Sequence, residues 1–179
     1  MMASMALDDE VGDLGPEQAV ADLFREHYRS LVRLAALLLG DREASEEVVQ
    51  DAFVKLQLGW HGVRDHERTP AWLRSAVLNG ARSRLRHRRV RDGHRAAPMS
   101  VVTSAEAGAL AADEHHRMVA ALRMLPARQR EALALKFYMD LTEAEIAAAM
   151  GVAAGSVKTH VHRGLAALHS ALGAEEEQR

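Results

Sequence analysis

The sequence predicts an all-α protein: two small helical domains joined by a flexible linker, the second domain carrying a helix-turn-helix. Alanine and leucine dominate a chain with only four prolines. Apolar residues recur at three- and four-residue intervals over long stretches, and the first ninety residues show no strand-like alternation. A stretch without helical period, Asp92 to Ala112, divides a chain of 179 residues, a length that allows one domain or two small ones.

From Glu17 to Leu39 the residues Val20, Leu23, Phe24, Leu31, Leu34, Ala35 and Leu38 keep a helical period that Gly40 stops. Asp41 is placed to cap a second helix, whose Val48, Val49, Ala52, Phe53 and Leu56 form one stripe ending near Gly59. Its other face carries Glu46, Glu47, Gln50, Asp51 and Lys55, either an ordinary solvated face or a docking surface. A polar loop, His61 to Arg68, leads into Thr69-Pro70, read as a cap followed by proline at the first helical position. The third helix, AWLRSAVLNGARSRLRHRRV, is expected to bury Trp72, Leu73, Ala76 and Val77 and to turn Arg74, Arg82, Arg84, Arg86, Arg88, Arg89 and Arg91 outward. Seven cations in eighteen residues, with almost no acid between them, repel one another unless a polyanion neutralises them.

After the linker, Asp113 to Leu125 reads as a short helix, and Pro126 starts another with Ala132, Leu133, Leu135 and Phe137 as apolar positions. Thr142 with Glu145 is a capping box that opens a further helix, with Ile146, Ala147 and Met150 buried and Gly151 ending it. The last helix turns Val157, Val161, Leu165, Leu168 and Leu172 inward, leaving Ser156, Lys158, Thr159, His160, His162 and Arg163 outside. Small Ala147 with Gly151 and Val157 is the spacing that a close helix-turn-helix crossing needs. A polar and cationic face near the start of the second helix suits a DNA major groove.

The net charge of -2 hides an asymmetry. Residues 1–60 hold 12 acidic and 5 basic side chains, residues 61–95 hold 3 and 10, and residues 96–179 hold 10 and 8. The basic block can meet phosphates while the acidic part meets something else. Zero cysteines exclude disulfides and thiolate metal or redox sites. The close histidine pairs, His115-His116 and His160/His162, point in different directions on a helix and make no two-ligand face, so no metal, cofactor or catalytic residue is expected. The acidic N-terminus lacks a signal pattern and the longest apolar run, Leu34–Leu39, is too short to span a bilayer, which predicts a cytoplasmic protein without membrane insertion.

In order, EEVVQDAFVKL, PAWLRSAVLNGARSRLRHRR and LPARQREALALKFYMDLTEAEIAAAMGVAAGSVKTHVHRGLAAL resemble an extracytoplasmic-function sigma factor of bacterial RNA polymerase, of the sigma-E-like actinobacterial type. The resemblance implies sigma region 2 over 17–91, a linker over 92–112 and sigma region 4 over 113–172. It implies that Glu47, Gln50, Asp51 and Lys55 engage the clamp helices of the large subunit of core polymerase, with the flap region as a second polymerase contact. The loop His61 to Pro70, with His61 and Arg64, would hold a flipped minus-10 base. Asn79 would lie near the opened strand, and Arg82, Arg84, Arg86 and Arg88 would clamp phosphates. Ser156, Lys158, Thr159, His160, His162 and Arg163 would read the minus-35 element. An anti-sigma factor is the further partner implied. Two features depart from the family pattern: VAAGS replaces a turn that often holds proline and threonine, and His160 and His162 stand where arginine is frequent. Because VKTHV also resembles the recognition helix of LuxR-like regulators, the rival reading is a helix-turn-helix regulator acting without core polymerase.

Overall fold

A computed structural model describes residues 15–91 and 109–176, with helices, turns and short connections and no strand among them. The acidic stretch 1–14 and most of the expected linker, 92–108, lie outside the described residues.

Three long helices build the N-terminal domain: α1 (Pro16–Leu39), α2 (Arg42–Gly59) and α3 (Thr69–Arg91). α1 stops at Gly40, whose φ of 67° is left-handed, and the Gly40 N–H closes on the carbonyl of Ala36. Asp41 then caps α2, its Oδ1 accepting from the Ala44 N–H at 3.1 Å. The expected stripe of α2, from Val48 to Leu56, is buried against Leu31, Leu34 and Leu38 of α1 and Leu73, Val77 and Leu78 of α3. Gly80 lets α3 lie close on α2, because a Cβ there would come within 2.7 Å of Val48 Cγ1.

Between α2 and α3 run two 3-10 turns, Trp60–Gly62 and His66–Arg68. Buried Trp60 anchors this segment and stacks on His66 with ring centroids 4.6 Å apart. Thr69 is not the cap that the sequence suggested: its φ of -59° and ψ of -41° are helical, and its buried hydroxyl has no hydrogen-bond partner. The preceding 3-10 turn delivers the chain to α3 already coiled, so no extended cap residue is required. Trp72 is 44% exposed rather than core. Leu73 and Val77 hold the inward line four residues apart, and the neighbour of Leu73 lies roughly 100° around the helix.

The C-terminal domain comprises α4 (Ala109–Met124), α5 (Ala127–Leu133), a π-turn (Ala134–Tyr138), α6 (Glu143–Met150) and α7 (Ala154–Glu176). α4 begins four residues earlier than its expected start at Asp113. The π-turn adds a residue to the turn, so Phe137, expected in the core, emerges 63% exposed. The capping box of α6 is complete: Thr142 Oγ1 accepts from the Glu145 N–H, and Glu145 Oε2 accepts from the Thr142 N–H at 2.9 Å. Gly151 ends α6 at φ 66°. In α7 the inward line runs through Val157, Val161, Gly164 and Leu168, which leaves Leu165 exposed where the sequence predicted burial. Gly164 takes the inward position because α5 passes so near that a Cβ would stand 3.0 Å from Leu133 Cδ1.

The two domains pack against each other. α3 lies along α6, α1 touches α4, α5 and the π-turn, and buried apolar residues of both domains form one continuous cluster.

Candidate nucleic-acid interface

The α6–α7 pair presents a helix-turn-helix whose second helix shows its polar face to solvent. Lys158, Thr159, His162 and Arg163 are exposed, and Ser156 and His160 are half-buried. Val157 between them is fully buried and fixes the rotation of the helix. Lys158 Nζ stands 3.7 Å from Glu143 Oε2 of α6, a solvent-exposed pair. Among the described residues, Arg163, His160 and His162 have no ion-pair partner, so this face can meet an external phosphate or base edge directly.

The arginine face of α3 is different. Arg82 makes a bidentate pair with Glu131 of α5: Nε donates to Oε1 at 2.9 Å and Nη2 to Oε2 at 2.7 Å. The same Nη2 reaches the carbonyl of Met150 at 3.3 Å, and Nη1 donates to Asn79 Oδ1 at 2.9 Å. Arg84 pairs with Glu47 of α2, and Arg88 Nη2 lies 3.0 Å from Asp41 Oδ2. Arg74 stands 4.0 Å from Glu145, whose carboxyl is held below its ordinary range by hydrogen bonds from the Thr142 side chain and backbone. Arg86 points into solvent. The expected run of cations without acid therefore exists only along the helix itself; the carboxylates come from α5, α6, α2 and the α2 cap. Asn79 is exposed beside Arg82, while His61 and Arg64 are exposed on the α2–α3 connection.

On α2, Glu47, Gln50, Asp51 and Lys55 share one exposed face. Exposed Val54 and Leu58 flank it, and Phe24, Gln50, Phe53 and Val54 line a groove of about 480 Å³ between α1 and α2. An acidic rim with apolar patches is suited to a protein partner rather than to DNA.

Glu131 and Arg128 had no place in the sequence reading. Glu131 is nearly fully buried, and Arg128 Nη1 also donates to it, at 3.2 Å, and to the Met150 carbonyl at 3.1 Å. The available signal was positional: Glu131 lies four residues before Leu135, on the inward line of α5. Arg130, also buried, donates Nη1 to the Arg123 carbonyl, and burial pushes its guanidinium below the ordinary arginine range, with Arg123 and Arg89 adding to the shift against the opposing pull of Glu131.

No group of three or more His, Cys, Asp or Glu side chains is placed to hold a metal among the described residues. No described helix is long and apolar enough to cross a membrane.

Two family models match in chain order: Sigma-70 region 2 over residues 23–91 and Sigma-70, region 4 over residues 115–168. The chain is 31% identical over 159 residues to the ECF RNA polymerase sigma factor SigM of Mycobacterium tuberculosis, covering 89% of this chain and 80% of that protein. It is 29% identical to the RNA polymerase sigma-E factor of Streptomyces avermitilis, covering 83% and 84%. Among solved structures, it is similar to the sigma factor RpoE in complex with the anti-sigma factor NepR from Bartonella quintana. That likeness has a TM-score of 0.71 and 27% identity, covering 85% of this chain and 97% of that one, and so takes in both domains. It is also similar to CnrH in complex with the cytosolic domain of CnrY, at a TM-score of 0.69 and 25% identity over 89% and 91%. The chain belongs to the extracytoplasmic-function sigma factors of RNA polymerase.

Proposed function

We propose that the chain, an alternative sigma factor that binds core RNA polymerase and directs promoter-specific transcription initiation, divides this work among three surfaces. Region 2 over 17–91 carries two of them and region 4 over 113–172 the third. On α2, Glu47, Gln50, Asp51 and Lys55 dock on the clamp helices of the large polymerase subunit; their shared exposed face supports this. On α3 and the connection before it, His61 and Arg64 border a pocket for a flipped minus-10 base. Asn79 pairs with a base edge, and Arg82, Arg84, Arg86 and Arg88 hold strand phosphates. On α7, Ser156, Lys158, Thr159, His160, His162 and Arg163 read the minus-35 element in the major groove, while the rest of region 4 meets the polymerase flap. No covalent step is involved.

The observation that carries this reading is the presence of both sigma domains, in order, in one chain. It also disfavours a LuxR-like regulator, for which region 2 has no role. A cytoplasmic location follows from the partners, and the Mycobacterium and Streptomyces relatives support a sigma-E-like actinobacterial type. An anti-sigma factor is the expected regulator, because the similar sigma factor RpoE was solved in complex with one.

In-vitro transcription with purified core polymerase on a promoter library tests the function: sequence-specific initiation is expected, and duplex binding without core-dependent initiation would overturn it. Asp51→Arg tests the α2 assignment. Reversing the charge of an interfacial side chain costs several kcal/mol, so core affinity should drop about 100-fold with helicity unchanged; unchanged affinity would remove α2 from the polymerase contact.

A further inference from the structure

Lys158 differs from the other cations on the outer face of α7 in having an acid beside it. Its Nζ is 3.7 Å from Glu143 Oε2, and both side chains are exposed. Arg163, His160 and His162 have no such partner among the described residues. The carboxylate belongs to the first residue of α6, so the pair joins the two helices of the helix-turn-helix near the start of the recognition helix. Local structure fixes its place. The Thr142–Glu145 capping box holds the backbone on either side of Glu143 and engages the Glu145 carboxylate, leaving Glu143 as the first-turn acid outside the cap. Fully buried Ile146 of α6 and Val157 of α7 share one core and set the two helices against each other.

A cation that served the phosphate backbone would gain nothing from this neighbour. The carboxylate repels an arriving phosphate and offsets the charge of the ammonium at longer range. What the pair does present to a major groove is a donor beside an acceptor. A G·C pair shows the complement. Its cytosine amino group and guanine O6 are hydrogen-bonded to each other, about 2.9 Å apart, so a carboxylate and an ammonium side by side can meet both at once. An A·T pair also sets an amino group beside a carbonyl, but its flanks oppose the same approach. Adenine N7, an acceptor, faces the carboxylate where cytosine has only a C–H, and the thymine methyl faces the ammonium where guanine has N7. We propose that Lys158 and Glu143 together read one G·C pair of the minus-35 element, Lys158 donating to guanine O6 and N7 and Glu143 accepting from the cytosine amino group. This rests on the reading of α7 as the minus-35 recognition helix. Glu143 is then a specificity-determining residue supplied by α6, and it works by rejecting A·T and the backbone as much as by attracting cytosine.

The test uses holoenzyme assembled from the full chain and purified core polymerase, on promoters randomised across the minus-35 element, with base preference read position by position from the transcripts. In the wild type, one position should favour G·C over A·T, and over the same pair reversed, about tenfold, in the range of one good base contact. Glu143→Gln puts an amide where the carboxylate was, and an amide both accepts from adenine N6 and donates to adenine N7. Adenine should therefore rise to within about twofold of cytosine at that position, with the other positions unchanged. Lys158→Met should flatten the same position. A merely structural Glu143 would instead lower output evenly for all sequences, and that result overturns the pair. So does a Glu143→Gln holoenzyme with every preference as in the wild type, or a change at a different position from that of Lys158→Met. Should Glu143→Gln fail to fold, Lys158→Met decides: a G·C preference kept at every position overturns the pair. Wild-type holoenzyme with no preference anywhere in the minus-35 element removes the α7 reading and the pair with it, whereas a preference that neither substitution alters removes only the pair.

Discussion

The two helices assigned to DNA, α3 and α7, solve the same problem in opposite ways. α3 is far richer in arginine, yet Arg82, Arg84 and Arg88 each already hold a carboxylate, and Arg74 has one nearby. α7 offers fewer charges, and Arg163 stands free in solvent. The difference teaches that cation density along a helix is not the same as cation availability. A dense run repels itself and gathers acid from elsewhere in the fold, so DNA arriving at α3 exchanges one anion for another. DNA arriving at Arg163 of α7 displaces only counterions.

The largest expected effect comes from Arg82→Glu, which sets two carboxylates against each other across the domain interface. It should open the chain and still reduce open-complex formation, because hydrogen bonds to a charged group are worth about 1.5–3 kcal/mol, roughly 10- to 100-fold. Open-complex yield kept at the wild-type level would show that Arg82 serves only to join the two domains. Next come the two glycines that let these helices pack closely. An added methyl at Gly80 meets Val48, a β-branched neighbour stiff at χ1, and Gly80→Ala should destabilise the fold by about 1–3 kcal/mol in thermal melts. At Gly164 the nearest atoms belong to the flexible Leu133, and the helix gains about 1 kcal/mol on replacing glycine, so Gly164→Ala should fall within about 1 kcal/mol of wild type. The opposite ranking would mean that α7, not α3, is the tightly held helix.

Salt dependence sharpens the comparison further. Arg163→Ala should reduce the slope of log affinity against log salt for duplex DNA by about 0.9, the value of one free phosphate contact. Arg84→Ala should reduce the single-strand slope by clearly less than about 0.7, since Glu47 takes back what the phosphate releases. Equal full-sized losses would break the distinction. The smallest effect concerns His160 and His162. Replacing each with alanine should weaken minus-35 binding a few-fold, the loss of about 1 kcal/mol expected for one hydrogen bond, and unchanged affinity would take these side chains off the DNA.

The helices and caps were legible because they depend on neighbours a few residues apart. Gly40, Asp41, the Thr142–Glu145 box and Gly151 work as local chemistry requires. Trp72, Phe137 and Leu165 were misplaced where an apolar residue sits one position off the inward line, or where that line is interrupted by a π-turn or an inward glycine. The partners of the α3 arginines were not legible at all, since Arg82 and Glu131 are 49 residues apart and only the packed domains bring them together. The exposure of the α2 and α7 faces could be read from periodicity, because the partners that reach them, Arg84 on Glu47 and Glu143 on Lys158, leave those side chains exposed.

The π-turn at Ala134–Tyr138 acts as a change of phase. Upstream, α5 keeps time with α7, its Leu133 seated against Gly164. The extra residue then shifts the rotation of the backbone before the Thr142 cap. Side chains restore the link that the backbone phase gives up: Leu133 of α5 seats against Gly164 of α7 and Arg128 of α5 holds the Met150 carbonyl of α6, so α5 is the platform on which both helices of the helix-turn-helix are set.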